Sequence, residues 1–126
     1  MKRLGVLLTT VVAGGLLFVA GTRLASAQDP AVVNSKFVHV KLDNAHVRVL
    51  DSLLQPGDKE QLHSHSAYVT YVISGGKLRN HLADGKTTET EIKTGDVLYR
   101  DAVSHWSENI GTTPIEVLLV ELKNPG

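Results

Sequence analysis

The chain has 126 residues, no cysteine, and 13 basic against 13 acidic side chains. The absence of cysteine excludes disulfides, thiolate metal sites and cysteine nucleophiles, and leaves histidine as the soft-nitrogen ligand type available. No basic stripe offers a footprint for nucleic acid, and none is expected as a partner.

The chain opens with Lys2 and Arg3, continues with an apolar run over 4–20, and reaches small residues ending in Ala25-Ser26-Ala27. That order is the order of a secretory signal peptide, so residues 1–27 are read as a leader cleaved after Ala27. The mature protein is then expected in the periplasm or outside the cell. The competing reading is an uncleaved anchor. The run falls short of the roughly 20 apolar residues a comfortable span needs, and the Ala-x-Ala site favours cleavage, with no stable membrane span afterwards. Three of the 13 basic residues, Lys2, Arg3 and Arg23, lie in the leader, which leaves 10 basic against 13 acidic side chains in the mature chain. Removing 27 of the 126 residues leaves 99, enough for one core and one domain.

Residues 28–36 read as a loose arm, and 28–43 together as the arm and a first strand. The main domain is expected over 44–126, with a frayed end at 123–126. Segments rich in Val, Ile, Leu, Thr and Tyr recur at 37–42, 47–54, 61–74, 77–82, 87–93, 97–100, 104–109 and 115–122. Between them stand Asp43-Asn44, Pro56-Gly57-Asp58, Gly75-Gly76, Asp84-Gly85, Gly95-Asp96 and Gly111-Thr112-Thr113-Pro114, each a turn signal. Gly57, Gly75, Gly76 and Gly95 are read as turn residues with unusual backbone angles. Short, evenly spaced strands with almost no helical period indicate an all-β antiparallel sandwich or barrel.

One segment carries chemistry. After the Pro56-Gly57 turn the chain reads Gln61-Leu62-His63-Ser64-His65. Alternation along a strand places Gln61, His63 and His65 on one face, with the two imidazoles about 7 Å apart along the chain. Two such rings can converge on one ion, and neutral imidazole suits Zn, Cu, Ni and Fe. His105, opening the run His105-Trp106-Ser107-Glu108-Asn109, is the natural third ligand. Without a partner, His63 and His65 would read as histidines on a solvated strand edge. Asn80 is placed on an inward face with Leu78 and Leu82, where a polar group needs a partner. Val69 and Tyr71 share a face and are candidate walls of a pocket. Tyr68, Tyr71, Tyr99 and Trp106 are read first as core aromatics. His39, His46 and His81 have no ligand-like spacing and are read as surface or structural. Asp84, Glu89 and Glu91 read as a solvated hairpin face.

Over roughly residues 44–122 the sequence resembles the cupin superfamily. The family's first motif, a Gly, five residues, His-x-His, a later Glu and a Gly, is matched by Gly57, His63-Ser64-His65 and Gly75-Gly76. The second motif is matched by Gly95, Asp101-Ala102-Val103, His105 and Asn109. The resemblance implies a double-stranded β-helix, a cupin-type jelly-roll barrel, with a divalent metal ion (Fe, Zn, Mn, Ni or Cu) on His63, His65 and His105. Two departures stand out. The motif Glu would fall at Val69 or Thr70, neither of them acidic, and the second motif is one residue short before its His and has Asp101 and Val103 where Pro and Gly are usual. Three neutral ligands would leave the ion its full charge, favouring an anionic ligand or bound hydroxide.

The superfamily includes oxygenases, isomerases, decarboxylases, sugar-binding modules, storage proteins and regulators, so the fold does not fix the function. The first expectation is an exported metal-binding cupin that acts as a small-molecule oxygenase, a metal-dependent dioxygenase, on a three-histidine centre. The alternative is a non-catalytic module that captures a metal or a small ligand. A third reading is an empty barrel. Exposed strand edges, covered by the arm and the strand at 37–42 of a second copy, point to a homodimer.

Overall fold

The computed structural model describes residues 28–123, and the expected leader therefore lies outside the described residues. So does the expected frayed end, apart from Lys123, whose N–H donates to His46 O at 2.9 Å. A one-turn helix α1 (Pro30–Val33) is followed by nine strands. They are β1 (Val38–Asp43), β2 (Val47–Leu54), β3 (His63–His65), β4 (Tyr68–Ser74), β5 (Gly76–Leu82), β6 (Thr87–Ile92), β7 (Val97–Arg100), β8 (Val103–Asn109) and β9 (Ile115–Leu122). They form two antiparallel sheets, one in the order β1-β2-β9-β4-β7 and the other β3-β8-β5-β6. This is the double-stranded β-helix expected from the sequence.

Alternation explains which face each strand buries. Leu50, Ser52 and Leu54 point inward from β2, and Tyr68, Thr70 and Val72 from β4. Val38, Leu50, Tyr68 and Leu119 form a packed cluster, with Ala31, Phe37, Val103 and Val117 against it. The expected continuous strand over 61–74 is in fact two strands in different sheets, broken at Ser66 and Ala67. The break changes parity. His63 and His65 face inward before it, and the even-numbered residues face inward after it.

The aromatics divide accordingly. Tyr68 is core, but Tyr71 and Tyr99 are 47% and 61% exposed, which corrects the core reading for both. Trp106 lies between two inward residues of β8 and stacks on His81, with ring centroids 3.6 Å apart. The glycine reading also needs correction in part. Gly57 and Gly95 turn with φ of 87° and 90°, but Gly75 is required for space, since a Cβ there would stand 2.3 Å from Ile92 O. Gly76 is likewise confined, by the Ile115 side chain at 2.8 Å.

Residues 28–34 are not a loose arm. Asp29 caps α1 by accepting from Ala31 N and takes a two-pronged ion pair from Arg48, at 2.8 and 2.9 Å. Gln28 accepts from Ser64 through its backbone and its side chain, both at 2.9 Å. The segment is pinned because it carries the polar partners that strand β3 lacks on that side. Among the described residues no helix is long and apolar enough to cross a membrane.

Candidate metal centre

His63 and His65 leave β3 on the same face, and the register of β3 with β8 sets His105 directly opposite His63. All three are buried. Their ring centroids are 4.7, 4.8 and 5.2 Å apart, and one ligand atom of each lies within 4.8 Å of the others. The structure thus brings together the three histidines singled out in the sequence.

Each ring is held from behind by an acceptor. His63 Nδ1 donates to Gln61 O at 2.7 Å, beside Asn34 Nδ2, which donates to the same carbonyl at 3.1 Å. His65 Nδ1 donates to Glu121 Oε2 at 2.9 Å. His105 Nδ1 donates to Asn80 Oδ1 at 2.7 Å, an oxygen that also accepts from Ser107 Oγ at 3.2 Å. A carbonyl, a carboxylate and an amide oxygen can only accept, so each Nδ1 carries a proton, and in neutral His63 and His105 Nε2 keeps its lone pair. A backing acceptor on the far nitrogen is the arrangement that orients metal-bound histidines.

The electrostatics agree. Burial pushes His63 down to about 4, partly opposed by the bond to Gln61 O, and pushes His105 down to about 3, helped by the neighbouring rings. Both are neutral near pH 7 and need lose no proton to bind an ion. Burial alone would raise Glu121, but the hydrogen bonds from His65 and Arg48 outweigh it and hold the carboxyl below its usual range. Arg48 joins Glu121, through Nε at 2.7 Å, to Asp29. Among the described residues, this trio is the one group of three or more His, Cys, Asp or Glu side chains close enough to share an ion.

The centre opens on a cavity of about 100 Å³ between the two sheets. Leu54, Leu78, Ile92, Leu98, Ile115 and Val117 give it an apolar lining, and Tyr68, Asn80 and Arg100 line it with the histidines. Burial pushes the Tyr68 hydroxyl up to about 12, so it stays protonated.

The other residues expected at the site separate cleanly. Asn80 lines the cavity, and the partner its burial required is His105 itself. Val69 and Tyr71 do not line it, because the parity change at Ser66 and Ala67 turns them outward and brings Thr70 in. Of the two positions where the family carries its Glu, the inward one is therefore occupied by Thr70. Gln61 is exposed and absent from the cavity wall, its backbone held by Asn34 through N–H to Oδ1 at 2.7 Å. Asn109, matched to the second motif, is structural, donating to Leu54 O and Thr113 O at 2.9 and 2.8 Å.

Sequence reasoning missed Glu60. Its side chain is only 9% exposed, lines the cavity, and places Oε2 at 3.7 Å from His63 Nε2. Glu60 N donates to Ser107 O, and His63 faces His105. From Ser107 to His105 β8 advances two residues while the facing chain advances three, from Glu60 to His63. This extra residue is a β-bulge, and it exchanges the faces of residues 60 and 61. The signal available in the sequence was an acidic residue just ahead of His-x-His, but alternation alone assigned it to the wrong face. Burial pushes the Glu60 carboxyl up to about 7, against the lowering effect of the Ser107 N–H.

Comparison with known proteins agrees with this architecture. A family model described as a cupin domain matches residues 51–121, more than half of the chain. A cupin domain from Bordetella pertussis is 26% identical, with a TM-score of 0.63, over 68% of this chain and 91% of that one. An RmlC-like cupin family protein from Methanocaldococcus jannaschii has a TM-score of 0.56 at 22% identity, over 71% and 84% of the two chains. A conserved double-stranded β-helix protein from Klebsiella pneumoniae has 26% identity and a TM-score of 0.52, over 71% and 78%. No curated protein matches the chain.

Proposed function

The chain belongs to the cupin family, and from that premise we propose that it holds a divalent metal ion on His63, His65 and His105 and acts on a small molecule in the adjoining cavity. The observation that carries this reading is the set of three buried imidazoles, close enough to share an ion, each with Nδ1 held by an acceptor behind the ring. When bound, a redox-active ion with open positions supplies the chemistry of an oxygenase, the reaction class proposed here.

The chain's own residues define what enters. Leu54, Leu78, Ile92 and Leu98 line the cavity with apolar surface that receives an apolar body. Arg100 lines the same cavity and makes no ion pair among the described residues, which supplies a cation for an anionic group. The Tyr68 hydroxyl, protonated throughout the working range, donates a hydrogen bond to a polar atom of the ligand. A small acid with an apolar body fits these three requirements.

Metal analysis of protein purified from its native compartment, with the stoichiometry, tests the centre. About one ion per chain is expected, and none would remove the reading. Oxygen uptake across a panel of small acids, diketones, thiols and phenols then tests the reaction. Metal and ligand binding without turnover would leave the non-catalytic capture module. We propose further that residues 1–27 direct export, which N-terminal sequencing of periplasmic or secreted protein checks by finding Gln28 first. Homodimerisation through the β1 edge, where Val40 and Leu42 are exposed, is checked by sizing at micromolar concentration.

A further inference from the structure

Glu60 is a carboxylate in the wall of the histidine cavity for which the described residues supply no lysine or arginine partner. The other buried acids are paired with cations: Glu121 with Arg48, and Glu108 with Arg79 at 3.0 Å. Glu60 has a single hydrogen bond, from Ser107 N to Oε2 at 3.1 Å. The one nitrogen base within 4 Å of it among the described residues is His63, at 3.7 Å. A glutamine would accept the same bond from Ser107 N without bringing a charge into the interior, where an unpaired charge is costly. A carboxylate here offers a ligand oxygen whose use the hydrogen bond from Ser107 N does not explain.

The geometry supplies that use. Glu60 Oε2 stands 3.7 Å from His63 Nε2, inside the cavity on which the three imidazoles open. Donor atoms at about 2.1 Å from one ion lie roughly 3 to 4 Å from each other. The bulge between residues 60 and 63 carries the carboxylate onto the histidine face, and Asn34 holds that bulge in place by pairing with both the N–H and the C=O of Gln61. We propose that Glu60 is the fourth protein ligand of the centre, supplying from ahead of His63 the carboxylate absent at Val69 and Thr70. This rests on the metal-centre reading and deepens it, because the ion would be bound by three neutral nitrogens and one anionic oxygen. The residual charge on the ion is lower than three histidines alone would leave.

The test uses full-length mature protein, stripped of metal and titrated with zinc alone by calorimetry, as wild type and as Glu60→Gln. The variant is expected to bind zinc at least tenfold more weakly, and the visible absorption bands of the cobalt-loaded protein are expected to shift. In thermal melts, the metal-free variant is expected to unfold at the same temperature as metal-free wild type or higher, since the glutamine oxygen accepts the same bond from Ser107 N. Unchanged zinc affinity in the variant would overturn the assignment and leave the three histidines standing. A lower melting temperature of the metal-free variant would also overturn it, showing that Glu60 is a structural acceptor. Failure of wild type to bind zinc, cobalt or iron would instead remove the metal centre on which the inference rests.

Discussion

The two faces of β8 carry polar groups in opposite states. On the outer face, Glu108 accepts from Arg79 and His81, both at 3.0 Å, Arg79 also pairs with Glu89 at 2.7 Å, and Trp106 covers His81. Each of these charges is answered by another side chain of the same sheet. On the inner face, His105, His63 and His65 are answered on one nitrogen only, and Glu60 by one backbone N–H. The outer cluster is complete without a ligand. The inner one is satisfied only on the side facing away from the cavity, and a polar site built in that way is prepared for something that enters.

The comparison breaks most sharply if a histidine can be lost without effect. His63→Ala and His105→Ala are each expected to abolish stoichiometric zinc binding, read by calorimetry or metal analysis. Retention of tight binding in either would place the inner face on the same footing as the outer.

The acid sensitivity of the metal-free protein comes next in size. The unfolded imidazole titrates near 6.5, and burial lowers the folded values to about 4 for His63 and about 3 for His105. Between these values the unfolded chain takes up protons that the folded chain refuses, so stability falls as the pH falls, by about 3 kcal/mol for each histidine at pH 4. Glu60 has the opposite sign. Its folded value is raised to about 7 from 4.5, so the stability it contributes is present at low pH and lost as the pH rises through 7. Two histidines outweigh one carboxyl up to about pH 7, and the denaturation midpoint of the metal-free protein is expected to rise from pH 4 and level off at about pH 7. A midpoint flat from pH 4 to 8 would show that the inner groups are solvated like the outer ones.

The backing acceptors sharpen the picture further. Asn80→Ala removes the oxygen that holds His105 Nδ1, and Asn34→Ala removes the amide that fixes the bulge beside His63. Each is expected to weaken zinc binding about 10- to 100-fold without abolishing it. The smallest effect belongs to the outer face. Glu89→Ala removes one of the two carboxylates paired with Arg79 and leaves Glu108, and neither zinc affinity nor the melting temperature should move measurably.

Most of this fold was legible because strands and turns are local. Val, Ile and Thr runs bounded by Pro56-Gly57, Asp84-Gly85 and Gly95-Asp96 give eight of the segments within a few residues of where the strands lie. His63 and His65 were legible as a pair because period-two alternation needs only their own spacing. The failures come where alternation is interrupted. Carried through Ser66 and Ala67, it sent Val69 and Tyr71 inward, and carried through the bulge before His63, it chose Gln61 over Glu60. The arm was misread for a different reason. Asn34 and Asp29 look like ordinary surface polar residues until Gln61, His63 and Arg48 stand beside them.

The sequence by itself determined an all-β domain, its turns, and which residues are able to ligate a metal, because side-chain chemistry and backbone preference are properties of short stretches. Only the tertiary structure decided that His105 meets His63 across β3 and β8, that Glu121, Asn80 and the Gln61 carbonyl stand behind the three rings, and that an extra residue in one strand turns a glutamate into the cavity. Those outcomes depend on strand register, which is set by the packing of the whole barrel and leaves no mark on any single segment.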